Sequence, residues 1–200
     1  MKNCIIVSQS SFLSDFARML NDSGWQIKAI FTDIYDIDLP SANITCNSLN
    51  QFAKDIENIT TDYIFSIVNP IIFSKQVFKK AICINYHPSL LPHYAGVCPT
   101  SLAIYNSERI SGYTWHFMSE EIDQGEIIFQ SSVKILHNDT AKSLSLRCYK
   151  RAIYEFPNVL EIILKKTKTH KKFVKLIIMD IRTSRISYLI ILMIKKLKSF

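Results

Sequence analysis

Asn85 and His87 stand two residues apart in INYHPSLLPHYAG, residues 84–96, and Asp123 lies in EEIDQGEII, residues 120–128. In an extended strand residues i and i+2 project to the same side, so the Asn85 amide and the His87 imidazole leave a sheet together. One is a hydrogen-bond donor and the other a proton carrier. Pro88 keeps His87 out of the helical region and Pro92 does the same for Leu91, which sets an extended and then turning path at the end of a strand. Asp123 falls in a turn two residues before Gly125, which is expected to supply a positive φ, and an acid on such a loop reaches across to the imidazole. These three groups suit attack of an amine on a carbonyl or formyl carbon. Donors aimed at the developing oxyanion are worth roughly 3 to 4 kcal/mol each. An ionised Asp raises the proton affinity of the His. The proton of the attacking amine then travels to the leaving nitrogen through His87, Asp123 and an ordered water. Such a scheme needs no metal and no covalent intermediate.

Other candidates have plainer readings. Ser89 lacks a GxSxG elbow and reads as a turn hydroxyl. His116, His137 and His170 read as structural or solvated, His116 with a place beside the site. Trp115, Phe117 and Met118 read as core, because a strand needs such residues on its buried face.

The elements that must position the three groups follow from hydrophobic period. Cys4–Val7 is a short apolar strand, followed by hydroxyl residues suited to a helix N-cap. The next helix carries Phe12, Phe16, Met19 and Leu20 on one face and ends at Gly24 as its left-handed cap. Trp25–Phe31 and Tyr63–Val68 are further buried strands, with an amphipathic helix over Ser48–Ile59 between them. A short helix closes at Lys80, and Ala81–Asn85 is a fourth strand. Pro99 opens a helix through Asn106. From Gly112 a two-sided strand begins, Glu126–Val133 is another, and a helix runs from Thr140 to about Lys165 with a kink at Pro157. Buried strands alternating with helices predict an α/β fold of Rossmann-like type, a mostly parallel sheet with flanking helices. Open sheets of this kind hold ligands at the carboxyl ends of their strands, where His87 stands.

The chain has 200 residues, 48% of them hydrophobic and 20% charged, a composition that suits one globular domain. Its four glycines permit no GxGxxG or GxxxxGK[ST] loop, which excludes those nucleotide-binding motifs. The formal charge of +7 is unevenly placed: residues 165–200 carry eleven Lys and Arg against Asp180 alone, and the first 164 residues carry thirteen against sixteen acids. Basicity therefore belongs to the tail, which offers a contact for RNA or an anionic membrane. The apolar run Tyr188–Ile194 has seven residues, short of the roughly 20 that span a bilayer. Five widely spaced cysteines without a CxxC, and an N-terminus without a signal pattern, point to the cytoplasm. The division expected is a catalytic domain over 1–164 and a basic tail over 165–200 that forms no separate domain.

The pattern N-x-H-P-S-L-L-P-x-Y-x-G followed by I-D-x-G-x-I resembles the catalytic core of the 10-formyltetrahydrofolate-dependent formyltransferases, the family of methionyl-tRNA and glycinamide ribonucleotide formyltransferases. The likeness is most specific from Asp62 to Gln130. It implies that Asn85, His87 and Asp123 are the catalytic triad, that the formyl donor is 10-formyltetrahydrofolate, and that no metal takes part. It also implies that the pterin of the donor lies against Asn69 and Ile71, and against Ser119, Glu120 and Ile122. Two departures bear on the acceptor. The first turn, VSQSSFLSD, lacks the glycines that hold a substrate phosphate in glycinamide ribonucleotide enzymes. After Lys165 only 35 residues remain, too few for the OB-type C-terminal domain of the methionyl-tRNA enzymes. The details YHPSLLPHYAG, PTSLAI, GYTWHFM and LRCYKRAIYEF are similar to formyltransferase-like domains that stand alone or head peptide-synthesising assembly lines. The acceptor implied is a primary amine on an amino acid, an aminoacyl carrier or an amino sugar. Two alternatives are hydrolysis of the same donor to formate, and a non-catalytic folate- or RNA-binding protein with a basic tail.

Overall fold

The computed structural model describes residues 2–35, 37–40, 44–55, 58 and 60–183, the side chains of 53 and 170–183 excepted. Twelve elements follow one another among these residues: β1 (Lys2–Ser8), α1 (Leu13–Asp22), β2 (Trp25–Phe31), β3 (Thr45–Asn47), α2 (Leu49–Asp55), β4 (Tyr63–Ile67), α3 (Lys75–Lys80), β5 (Ile82–His87), α4 (Pro99–Tyr105), β6 (Ile110–Phe117), β7 (Ile127–Lys134) and α5 (Ala141–Thr183). The strands form one sheet in the order β3-β2-β1-β4-β5-β6-β7. β1 to β5 pair in parallel, and β6 and β7 are antiparallel additions at one side. Strand order reverses between β1 and β4, so a crevice opens at their carboxyl ends, which lie beside that of β5.

Both faces of the central strands are covered, as their unbroken apolar runs require. All five residues of β4 are buried. On one face Ile5, Val7, Phe31, Phe52, Ile64, Val77 and Cys83 make a continuous cluster. On the other, Phe16 packs edge-on against Trp115 at 5.7 Å between ring centroids and against Phe156 at 5.1 Å. Burying each such side chain contributes about 1.5 to 3 kcal/mol.

Several local expectations are corrected. No serine side chain caps α1 from the N-cap position, which Phe12 holds; Ser10 Oγ instead accepts the Phe12 N–H at 3.2 Å and Ser8 Oγ accepts the Ser10 N–H at 3.0 Å. Strand β3 occupies a stretch to which the sequence assigned no element, because two of its three residues are exposed and it carries no periodic apolar signal. Helix α5 does not end near Lys165 but continues to Thr183, with Pro157 inside it. Gly24 does adopt the left-handed conformation after α1, at φ +73°.

The chain divides into two compact units, Met1–Pro157 and Asn158–Phe200. The second is helical as far as Thr183, where Thr167 Oγ1 donates to the Ile163 carbonyl at 2.9 Å. Among the described residues no helix is long and apolar enough to cross a membrane. The segment 184–200, with its apolar centre and basic ends, lies outside the described residues, as do the side chains of the tail from residue 170.

Candidate active site

Strand β5 alternates as its sequence demands. Ile84 and Tyr86 point to one side, Tyr86 stacking on Tyr113 and on Tyr149 with centroids 5.7 and 5.0 Å apart. Cys83, Asn85 and His87 share the other side. Cys83 enters the core cluster there, and two and four residues later the same face becomes polar. Antiparallel pairing places His116 opposite Asn85 and Thr114 opposite His87, so β6 contributes to the same face.

Asp123 comes from the loop between β6 and β7. It carries φ +56° itself, and Gly125 is not the left-handed residue that the sequence suggested. Glycine is required at 125 for another reason: a Cβ there would run into the Phe117 carbonyl at the end of β6. The loop closes where Phe117 N donates to Glu126 O at 2.9 Å.

The three expected groups are brought together. Asp123 Oδ2 lies 3.3 Å from His87 Nδ1 and accepts the Gly96 N–H at 2.8 Å. Asp123 Oδ1 lies 3.5 Å from both Asn85 Nδ2 and His116 Nε2. The side chains of His87 and Asp123 are 6% and 9% exposed, so their interaction is poorly screened. His87 Nε2 stands 2.8 Å from the Tyr94 carbonyl, an acceptor only, which places a proton on that nitrogen.

His116 is a fourth member that the sequence reading set aside. Its Nδ1 donates to Phe117 O at 2.9 Å, which leaves Nε2 to accept from Asn85 Nδ2 at 3.1 Å. One Asn85 N–H is thereby held, while the other meets Asp123 at the limit of hydrogen-bond distance and is the one free to turn to a substrate oxygen. The signal for His116 was its two-residue spacing from Thr114 on an alternating strand. Only the pairing register with β5 shows that it meets Asn85.

Charge in the site is set by burial and by these neighbours. Burial pulls His87 below its ordinary value, and His116 acts in the same direction; the Tyr94 carbonyl and Asp123 oppose them. Burial alone would raise the Asp123 carboxyl, but His116, the Gly96 amide and His87 together hold it below its ordinary value. A neutral ring with its proton on Nε2 thus presents an Nδ1 lone pair to an ionised carboxylate, and a proton delivered between them is stabilised by Asp123.

The loop that follows His87 is fastened from below. Leu91 N donates to Thr114 Oγ1 at 3.1 Å, Thr114 Oγ1 donates to Ser89 O at 2.6 Å, and Gln130 Nε2 donates to Leu91 O and to Thr114 Oγ1, each at 2.8 Å. The Leu91–Pro92 peptide is cis. Ser89 also donates to His93 O at 2.7 Å, in keeping with a turn hydroxyl.

The residues expected at the donor lie on two loops beside the triad. Asn69 bonds both to the Ile71 carbonyl, at 3.1 Å, and to the Ile71 N–H, at 3.0 Å. The Ile71 side chain packs against the core cluster with Met118, and Ile72 is the neighbour that stands 76% exposed. On the second loop Ser119 Oγ donates to Glu121 O at 2.9 Å, and Ile122 is 59% exposed. Lys75, just after the first loop, pairs with Glu120 of the second at 2.5 Å. Each of the two ion-paired loops thus leaves one isoleucine side chain exposed.

Comparison with known proteins bears on the same residues. A sequence model of the family described as Formyl transferase matches residues 41–160, which include Asn85, His87 and Asp123. The bifunctional polymyxin resistance protein ArnA of Wigglesworthia glossinidia brevipalpis is 37% identical over 112 residues, 55% of this chain and 17% of that protein. Methionyl-tRNA formyltransferase of Borrelia garinii subsp. bavariensis is 38% identical over 124 residues, 60% of this chain and 37% of that protein. The chain therefore spans less than two fifths of the length of these two curated relatives. Among solved structures, a sugar N-formyltransferase from Shewanella sp FDAARGOS_354 matches with a TM-score of 0.66 at 25% identity, over 83% of this chain and 71% of that one. Phosphoribosylglycinamide formyltransferase from Bacillus halodurans matches in fold, with a TM-score of 0.67 at 20% identity, over 83% of this chain and 97% of that one.

Proposed function

The chain belongs to the formyl transferase family, and from that premise we propose that it moves a formyl group from 10-formyltetrahydrofolate to the primary amine of an amino acid, an aminoacyl carrier or an amino sugar. The observation that carries this reading is the buried convergence of Asn85, His87 and Asp123, with Asp123 3.3 Å from His87 Nδ1. When bound, the folate supplies the formyl carbon that the amine attacks. Asn85 turns its loosely held N–H toward the oxygen that gains charge, a role worth roughly 3 to 4 kcal/mol. His87 takes the amine proton at Nδ1, where Asp123 stabilises the resulting imidazolium, and the pair returns that proton toward the leaving nitrogen. Asn69, Ile71, Ser119, Glu120 and Ile122 would hold the donor, with the exposed Ile72 beside Ile71 as a further contact.

The acceptor is proposed to carry no phosphate at the first turn. Four of the amides that a phosphate would use there are already bonded: Gln9 N donates to Val68 O at 3.0 Å, Ser10 N to Ser8 Oγ, Phe12 N to Ser10 Oγ, and Leu13 N to Ser10 O at 3.0 Å.

The test is turnover by the purified protein with 10-formyltetrahydrofolate and a panel of amines. Formyl transfer is expected to fall by at least about a hundredfold in Asn85→Ala, His87→Ala and Asp123→Ala. Equal rates in parent and variants would overturn the assignment, and formate release without an amine would show hydrolysis instead.

A further inference from the structure

Tyr94 is a non-glycine residue in the left-handed region, at φ +56°, and its carbonyl is the acceptor 2.8 Å from His87 Nε2. A tyrosine adopts such a backbone only where its surroundings hold it there. Two anchors do so. Its ring packs against the buried cluster of Ala103, Leu144 and Cys148. Its hydroxyl donates to Glu108 Oε1 at 2.7 Å and accepts from Asn106 Nδ2 at 3.0 Å. The second anchor is itself fixed, because Asn106 N donates to Leu102 O at 2.9 Å and Glu108 N to Ala103 O at 3.0 Å, tying both to helix α4.

We propose that Tyr94 is a positioning residue for His87: its hydroxyl, clamped by Asn106 and Glu108, fixes the peptide whose carbonyl keeps the His87 proton on Nε2.

 Glu108 follows His87 by 21 residues and Tyr94 by 14, so the clamp reaches His87 through the fold and not along the chain. A neutral imidazole has one proton for two nitrogens. With the Tyr94 carbonyl in place the proton stays on Nε2, and Nδ1 is left open beside Asp123. If that carbonyl withdraws, the tautomer that donates from Nδ1 to Asp123 takes over, and the nitrogen that must accept the amine proton is already occupied.

The inference rests on the reading of His87 as the proton carrier, but the tautomer can be measured without turnover. Imidazole ¹⁵N spectra of the full chain are compared for the parent, Tyr94→Phe, Glu108→Ala and Glu108→Gln. The phenylalanine keeps the ring on its cluster and removes only the hydroxyl. The parent is expected to hold His87 as the Nε2–H form. In Tyr94→Phe and Glu108→Ala the Nδ1–H share rises at least about threefold, and turnover falls about tenfold with KM within about twofold. Glu108→Gln, whose amide oxygen still accepts from the hydroxyl, retains the parent's tautomer. If Tyr94→Phe does not fold, the two Glu108 variants decide the matter. A parent-like tautomer in Tyr94→Phe or Glu108→Ala overturns the proposal. A parent inactive on every amine overturns the functional reading and leaves the tautomer result to judge this one.

Discussion

His87 owes its shift to burial, and Asp123 owes its own to the groups around it, which outweigh burial. An exposed histidine beside an aspartate would be raised, whereas His87 is lowered because its surroundings desolvate the charged ring more than Tyr94 and Asp123 support it. The sign of the consequence follows from linkage. The unfolded chain takes up a proton at His87 near pH 6.5, the folded chain only at lower pH, so stability falls as pH drops below about 6.5. Asp123 is also depressed, and its contribution, present above about pH 3.9, is lost as pH falls through its folded value. Thermal unfolding followed from pH 8 to pH 4 in the parent and in His87→Asn tests this. The variant is expected to lack the part of the fall that begins near pH 6.5, and parallel curves would refute it. The convergence of the three candidate residues was legible because Asn, His and Asp sit in motifs flanked by proline and glycine. The part played by His116 was not, because a histidine on an apolar strand looks the same whether it faces core or site.

At the level of elements, strand β5 and the β6–β7 loop do most of the positioning. The strand was readable from its apolar run and the period of two. The loop was readable as a turn, but its geometry was not: the strained residue is Asp123 at φ +56°, and Gly125 is needed for space against the Phe117 carbonyl. Gly125→Ala is therefore expected to displace the loop and with it the carboxylate. A loss of about 2 to 3 kcal/mol, typical of overpacking, would lower Tm by roughly 4 to 12 °C in a chain of this size. Formyl transfer should fall at the same time. Unchanged Tm and turnover in calorimetry and assay would show that the loop tolerates a side chain. The same limit explains the missed strand β3 and the longer α5, because short exposed strands and helices that continue through a proline carry weak local signals.

For the whole molecule, the order β3-β2-β1-β4-β5-β6-β7 decides where a ligand can enter. The reversal between β1 and β4 opens a crevice at their carboxyl ends, yet the bond from Gln9 N to Val68 O crosses it. With Ser8 and Ser10 occupying further amides, an anion finds few free donors there. Inorganic phosphate at millimolar concentration is expected to leave the KM for the amine within about twofold of its phosphate-free value, and strong competition would refute the closed turn. By itself the sequence determined the α/β class, the carboxyl-end location of Asn85 and His87 and the three residue types proposed to perform the chemistry, because period, proline placement and motif spacing are local properties of a chain. Only the tertiary structure decided that His116 holds the Asn85 amide, that the Tyr94 carbonyl claims the His87 proton and that the Val68 carbonyl takes the Gln9 amide at the first turn. Those facts depend on strand register and on loops meeting across the sheet, and such meetings are fixed by packing between residues far apart in the chain.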